Sequence, residues 1–272
     1  MYKRQVYGVV NDNITSDGSY IAPVTGSFSG TTMTLPVLVE TSTFRSELVL
    51  TNRGSTTATL TLQYVESLSP SSGAGGTVTE KLSPGQQRII PEAIDYLRTH
   101  GASIGAMNSG AFGGAVRVTV AGASLSDTYV GARTAARSPA GGQFGLFTPP
   151  VYSGQEASSS ASIYALRADA NNRSNIAVVH GGADGSGRIS LKLQAFDGSE
   201  GGAARGEPLT VELDPGQWLQ PQGFFAASGI KNGYVKILRT AGSAPWLAYG
   251  VVNDGGQPGS RTGDGAYIAA VP

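Results

Sequence analysis

The stretch Ala58-Thr-Leu-Thr-Leu-Gln-Tyr64 decides the fold class of this chain. Its apolar residues recur at every second position, which is typical of a β-strand with one buried face. The same alternation occurs in Ala115-Val-Arg-Val-Thr-Val120 and in Arg188-Ile-Ser-Leu-Lys-Leu-Gln-Ala195. Stretches rich in Gly and Ser at 69–76 and 181–187 separate such segments, and these compositions are typical of turns. Short strands at this spacing predict antiparallel β-sandwiches.

One short helix is predicted over residues 91–100. Pro91 suits the first turn of a helix, Glu92 suits its positive N-terminal end, and Gly101 suits the position after its last residue. Strands and helices do not alternate along the chain, which disfavours a doubly wound α/β fold.

An internal repeat sets the predicted domain organisation. Phe44-Arg-Ser-Glu-Leu-Val-Leu-Thr-Asn52 resembles Asn172-Arg-Ser-Asn-Ile-Ala-Val-Val-His180, with the shared Arg-Ser pairs 128 residues apart. Leu82-Ser-Pro-Gly-Gln86 resembles Leu213-Asp-Pro-Gly-Gln217 at a nearly equal offset. In both copies Pro-Gly is typical of a tight turn between strands. We therefore expect two bodies of similar fold in tandem.

A terminal segment of the repeat, here called the end-piece, occurs three times. Tyr7-Gly-Val-Val-Asn-Asp12 is identical to residues 249–254, and Asp17-Gly-Ser-Tyr-Ile-Ala-Pro-Val24 closely matches residues 264–271. The middle copy, at 129–151, differs more. The first end-piece, within residues 1–24, therefore has no body of its own.

Two interpretations of residues 1–24 stay open. In the first, they finish a preceding repeat of a longer array or lie on the first body. In the second, they form a donor strand that pairs with an exposed edge of this chain or of the next subunit. The residues that would form this subunit or domain interface are Tyr7, Val9, Val10, Tyr20, Ile21 and Val24.

The order of the motifs resembles a known module. The resemblance depends on Phe-Arg-Ser-x-Leu-x-Leu-x-Asn-x-Gly at 44–54, Thr-Ala-Thr-Leu-Thr-Leu at 57–62, Leu-Ser-Pro-Gly-Gln at 82–86, Gly-Ala-Val-Arg-Val at 114–118 and Phe-Thr-Pro-Pro-Val at 147–151. This order is similar to tandem immunoglobulin-like β-sandwich repeats of about 120 residues in large secreted bacterial surface proteins. The second body matches less closely, because it lacks the first Phe and the full helix. The resemblance implies extracellular scaffolding or adhesion and brings no known catalytic residues.

These features together predict an all-β fold of two tandem immunoglobulin-like antiparallel β-sandwiches, with one short helix in the first. The expected boundaries are an N-terminal strand or hairpin at 1–24, the first sandwich at 25–151 and the second at 152–272. The location that the resemblance implies is extracellular or at a cell surface. Because no signal peptide is present, the chain is then expected to be a mature or excised one, and the alternative is that it is not exported.

Composition excludes several function classes. The 19 basic and 19 acidic residues balance, so the charge expected of a nucleic-acid-binding protein is absent. The chain has no Cys, which excludes disulfides, thiolate zinc sites and Cys nucleophiles. No apolar run approaches the ~18 residues of a membrane span, so membrane insertion is not expected.

The sequence predicts neither catalysis nor a cofactor. Gly101-Ala-Ser-Ile-Gly105 has the pattern of a nucleophile elbow, but the predicted helix precedes it instead of following it. An enzyme would instead need a carboxylate pair converging in a cleft, as in glycoside hydrolysis. Calcium is the alternative to no metal, and its candidate ligands are Asn11, Asp12, Asn13 and Asp17, with Asn253, Asp254 and Asp264. Asp and Asn in loops are also ordinary turn formers.

The two tryptophans separate the remaining hypotheses. Trp246 lies in an apolar run and is expected in a core, whereas Trp218 follows the Pro-Gly turn and is the candidate glycan contact if half-exposed. His180, next to a Gly-rich turn, is expected at the surface. The predicted function is a non-catalytic extracellular structural module that self-associates into a filament or array, or acts as a scaffold or adhesion repeat. Its expected partners are copies of itself or neighbouring repeats. The alternative is an accessory module that binds a cell-surface glycan.

Overall fold

The computed structural model describes residues 7–26, 28–68, 75–199, 201–256, 261–262 and 264–272. Every strand pairing in this part of the chain is antiparallel. Two short helices and one 3-10 turn accompany the strands among the described residues. The predicted all-β fold of tandem sandwiches is confirmed.

The elements, in chain order, are β1 (Gly8–Asn11), β2 (Gly18–Ile21), β3 (Thr32–Glu40), β4 (Phe44–Asn52), β5 (Ala58–Glu66), β6 (Gly75–Leu82), β7 (Gln87–Ile90), α1 (Ala93–Thr99), β8 (Phe112–Ala121), a 3-10 turn (Leu125–Asp127), β9 (Thr128–Arg137), β10 (Gln143–Thr148), β11 (Val151–Tyr152), β12 (Ser160–Arg167), β13 (Asn172–His180), β14 (Ile189–Asp197), β15 (Ala204–Leu213), β16 (Trp218–Leu219), α2 (Phe224–Ala227), β17 (Asn232–Ala241), β18 (Trp246–Asp254) and β19 (Gly265–Ala269).

The first body is built from β3 to β11. Its strands follow the order β10-β9-β4-β3-β8-β5-β6, with β7 on β4 and β11 on β3. Because β3 pairs with β4 only at Glu40 and Arg45 but with β8 along most of its length, two layers result. Leu48 and Leu50 of one layer share a core with Leu60 and Leu62 of the other. The alternation in β5 therefore buries one face, as the sequence predicted.

The second body repeats this plan in two four-stranded sheets, β12-β17-β14-β15 and β16-β13-β18-β19. Its core lies between them and contains Ile176, Leu193, Ile237 and the fully buried Trp246. The core position expected for Trp246 is confirmed. In the first body α1 lies within the predicted 91–100. In the second body the one-turn α2 occupies the corresponding stretch.

The two bodies meet at a third apolar cluster. Val37 and Ala115 of the first body pack with residues of β13, β16 and β18 of the second, namely Ala177, Val179, Trp218, Leu247, Tyr249 and Val251. The half-exposed position that Trp218 would need as a glycan contact is not found, because this residue is 6% exposed. Its indole N–H donates to the Tyr249 hydroxyl at 2.9 Å. The contact between the two bodies accounts for the burial of Trp218. No local sequence pattern predicts this contact.

His180 is a second correction, since its ring is buried and not at the surface. The Gly-rich turn after β13 folds over the ring. Its Nε2 lies 2.8 Å from the Gly187 carbonyl oxygen, and its Nδ1 accepts from the Gly182 N–H. Burial lowers the pKa of His180 below its usual value.

No helix in the described part of the chain has the length and apolar character needed to cross a membrane.

Candidate functional site

The strands β1 and β2 form a two-stranded hairpin, here called the N-terminal hairpin, that belongs to neither body's sheets. It reproduces the C-terminal hairpin of β18 and β19 in sequence and in register. Val9 pairs with Tyr20 as Val251 pairs with Tyr267. The C-terminal hairpin differs in one respect, because β18 also pairs with β13 over nine residue pairs. The outer edge of β1 pairs with no strand among the described residues.

Equivalent residues are exposed to solvent in the N-terminal hairpin and buried in the C-terminal hairpin. Tyr7, Val9 and Tyr20 lie on one face of the N-terminal hairpin and are 66%, 46% and 59% exposed. Their counterparts Tyr249 and Val251 are only 3% and 8% exposed. Tyr267, the counterpart of Tyr20, packs against the same cluster between the bodies. The face that carries Tyr7, Val9 and Tyr20 is here called the hairpin face. It is a copy of a surface that is buried elsewhere in the same chain.

The other predicted interface residues also remain accessible. Val10 and Val24 are exposed, and Ile21 is half-buried. The rings of Tyr7 and Tyr20 lie 5.8 Å apart, much as those of Tyr249 and Tyr267 lie 5.3 Å apart. The apolar side chains of the N-terminal hairpin are therefore arranged much as in the C-terminal hairpin, but they are exposed to solvent.

Side chains, and not strand pairing, hold the hairpin to the free edge of β10. The Gln143 N–H donates to Asp12 Oδ2 at 3.1 Å, and the Thr15 hydroxyl donates to the Gln143 carbonyl at 2.9 Å. Two residues further on, the Gly145 N–H donates to an Asp17 oxygen at 2.8 Å. These contacts occupy backbone groups that an edge strand otherwise offers to another chain.

Ser19 and Arg133 complete this attachment. The Ser19 hydroxyl donates to the Gly145 carbonyl at 2.9 Å, and Arg133 Nε donates to the Ser19 hydroxyl at 3.1 Å. Arg133 Nη2 also lies 3.5 Å from an oxygen of Asp17, whose side chain is almost fully buried. Sequence reasoning missed this role of Asp12, Thr15, Asp17 and Ser19. The available signal was the run of short polar residues Asp12, Thr15, Asp17 and Ser19 within the first end-piece.

A carboxyl pair joins the two ends of the chain. Asp17 and Asp264 hold the same position in the first and third end-pieces, and their carboxyl groups interact. Burial and the adjacent Asp17 carboxyl group, with a smaller contribution from the charge of Asp254, raise the pKa of Asp264 to about 6. The pair lies beside a cleft of about 480 Å³ where residues of all three end-pieces meet, including Ser19, Leu146 and Ala266.

This pair bears on the hydrolase hypothesis, which required two converging carboxylates. Glycoside hydrolases keep their two carboxyl groups about 5–9.5 Å apart to act on opposite sides of the scissile bond. Asp17 and Asp264 instead interact directly with each other, and Asp17 is held in place by Gly145 and Arg133. The arrangement is that of a link between two segments.

The calcium candidates make other contacts. Asp12 accepts the backbone N–H groups of Ile14 and Thr15, and the Thr15 bond is the main cause that lowers the pKa of Asp12. Asp254 accepts from the Thr262 hydroxyl at 2.9 Å. Over the described ranges no three acidic or histidine side chains converge on a point where a metal ion would bind.

The fold and this hairpin define the class of the protein as an all-β chain of tandem sandwiches that carries an additional end-piece. Comparison with known proteins adds no identity, because no family model, no curated protein and no solved structure gives a significant match. The similarity to secreted bacterial repeats therefore stays a prediction that depends on the motifs.

Proposed function

We propose that this chain is a non-catalytic structural module that associates with further copies of itself through the N-terminal hairpin. One observation carries the proposal: the hairpin face is exposed, whereas its copy on β18 and β19 is buried between the bodies. A surface that already serves as an interface within the chain is thus offered to solvent. An extracellular or cell-surface location is part of the proposal and is supported by the similarity of the motifs to secreted repeats.

The chemistry of the hairpin favours association. Exposed strand edges pair readily with other chains unless charges or prolines obstruct them, and β1 has the sequence Gly-Val-Val-Asn. Burial of an apolar side chain such as Val contributes about 1.5 kcal/mol or more. The balanced net charge of the chain also adds little long-range repulsion between copies. The glycan-binding alternative loses its candidate contact, because Trp218 is buried.

The test compares the full chain with Val9→Glu and with the matched control Ile89→Glu. Ile89 is an apolar residue of similar exposure, at 53%, but lies on β7 away from the hairpin. Light scattering over a concentration series, with negative-stain microscopy, measures the assembly state. We expect the unaltered chain and Ile89→Glu to form oligomers and Val9→Glu to remain monomeric. A monomeric unaltered chain at high concentration, or equal assembly of all three, contradicts the proposal.

A further inference from the structure

The second body carries an exposed aromatic patch. Phe196 of β14 stacks on Tyr234 of β17 with ring centroids 5.1 Å apart, and Tyr164 of β12 lies 5.7 Å from the same Tyr234 ring. Tyr164 is 50% exposed, and the other two side chains are half-buried. The three residues, here called the aromatic patch, lie on the outer face of the sheet, because their neighbours Ile163, Ala195 and Val235 point into the core.

This patch occupies the position by which the first body contacts the second. Phe196 pairs with Tyr234 as Val65 pairs with Ala115 in the first body. An irregularity at the same place in both bodies confirms the correspondence, because Leu38 pairs with Gly114 and Leu166 pairs with Gly233 immediately after it.

The surface of the first body at this position is an interface. Ala115 belongs to the cluster between the bodies. Gly216 of the second body comes so close to Val65 that a Cβ on it would lie 2.7 Å from the valine methyl. The backbone N–H of Trp218 donates to the Ser67 hydroxyl across the same boundary at 3.1 Å. The second body therefore presents an aromatic version of an interface surface that no strand covers within the described residues.

We propose that the hairpin face of one copy docks on the aromatic patch of a second copy, so that copies join head to tail. This inference rests on the proposed function and names the receiving surface. The internal contact is the precedent, since Tyr249 and Val251 share a buried cluster with Ala115. Their counterparts Tyr7 and Val9, and the counterpart Tyr234 of Ala115, are the groups left without a covering body.

The contact joins two different surfaces and is therefore heterologous. A heterologous contact forms a ring where the rotation closes and an open chain where it does not. The hairpin is fixed to β10 of its own first body by Asp12, Thr15, Asp17 and Ser19. We therefore expect it to reach the patch of another copy while it keeps these bonds.

The test uses two single variants of the full chain. Val9→Glu places a charge on the hairpin face, and Tyr164→Lys places one on the aromatic patch. Each is expected to weaken association by about tenfold or more, because a charge enters an apolar contact. Ile89→Lys is the control and is expected to assemble like the unaltered chain. Circular dichroism and thermal melting verify that all variants are folded.

Mixing the variants gives the sharpest result. The mixing experiment uses Tyr164→Glu in place of Tyr164→Lys, so that the two altered surfaces carry like charges and repel each other. Tyr164→Glu retains an intact hairpin, and Val9→Glu retains an intact patch. An equimolar mixture is expected to form one-to-one complexes and nothing longer, because only one productive contact remains. Mass photometry and sedimentation velocity measure this.

The two proposals fail in distinguishable ways. If Val9→Glu blocks assembly and Tyr164→Lys does not, self-association stands and the patch assignment falls. If neither variant alters assembly, both fall. If Tyr164→Lys leaves assembly unchanged but abolishes binding on a glycan array, the patch is a glycan platform and the docking proposal is overturned.

Discussion

The Asp17–Asp264 carboxyl pair makes the attachment of the N-terminal hairpin sensitive to pH. The raised pKa of Asp264, about 6, means that the folded state holds this proton more tightly than the unfolded chain does. The contribution to stability is therefore fully present below the ordinary carboxyl pKa of 3.8 and is lost as the pH rises through 6. A pKa raised from 3.8 to about 6 corresponds to about 3 kcal/mol in a fully buried site, and solvent screening of the half-exposed Asp264 reduces this to about 1 kcal/mol.

The perturbation is Asp264→Asn. The asparagine amide can donate a hydrogen bond to Asp17 at every pH. The carboxyl group of Asp264 can do so only while it is protonated, below its pKa. We expect the variant to exceed the unaltered protein by about 0.3 kcal/mol at pH 4.5 and by about 1 kcal/mol at pH 7.5. Hydrogen exchange of the amides in residues 8–21 then slows about fivefold at pH 7.5. Both proteins are compared at each pH, so that intrinsic exchange rates cancel.

A control lies in the second body, away from the carboxyl pair. Asp197→Asn removes a carboxylate whose pKa is lowered chiefly by the backbone N–H of Ser199 and also by the charge of Arg205. Stability from such a group is lost only as the pH falls towards its lowered pKa, so this variant should not alter the difference between pH 4.5 and 7.5. Arg133 faces Asp17 from β9. Equal pH dependence of Asp264→Asn and the unaltered protein would refute the reasoning.

Three further substitutions probe the attachment, the boundary between the bodies and the core. Ser19→Ala removes the hydroxyl that donates to Gly145, and about 1 kcal/mol of lost hydrogen bonding should speed exchange of the hairpin amides about fivefold. Gly216→Ala places a Cβ 2.7 Å from Val65 at a φ of +74° and should lower the melting temperature by a few degrees, at a cost of about 1–2 kcal/mol. Trp246→Ala empties a fully buried site and should cost about 3–5 kcal/mol in urea unfolding of the second body. A loss below about 1 kcal/mol would mean that Trp246 is not a core residue.

The sequence predicted the strands well because their burial depends on a local period. In β5 every second residue is buried, and the same holds through most of β14. The helix over residues 91–100 appeared as α1 because its start and stop signals are also local. Trp218 and His180 were misplaced because their burial depends on groups distant in the chain or on the path of a loop. Trp218 lies in β16, a strand of two residues that is too short to show any periodicity. His180 is the last residue of β13, and the alternation along that strand does not show that the following turn covers its ring.

The site shows the limit of sequence reasoning more sharply. Residues 7–12 and 249–254 are identical, yet Tyr7 is 66% exposed and Tyr249 is 3% exposed. Identical local patterns cannot predict different burial, because the difference comes from what packs against each copy. The sequence did predict that the hairpin repeats the last two strands. It did not reveal that Asp12, Thr15, Asp17 and Ser19 cap the edge of β10.

The distribution of protected edges supports the hairpin as a point of assembly. The edge strand β6 includes Glu80 and Lys81, and the edge strand β15 includes Arg205, Glu207 and Pro208. Charges and proline on an edge oppose pairing with another chain. The edge of β10 is occupied by the hairpin's own side chains. By contrast, β1 has neither charge nor proline between Gly8 and Asn11, and its counterpart β18 is a strand with partners on both edges. The same edge pairs with β13 in the C-terminal hairpin and lies open in the N-terminal hairpin, which supports the proposed self-association.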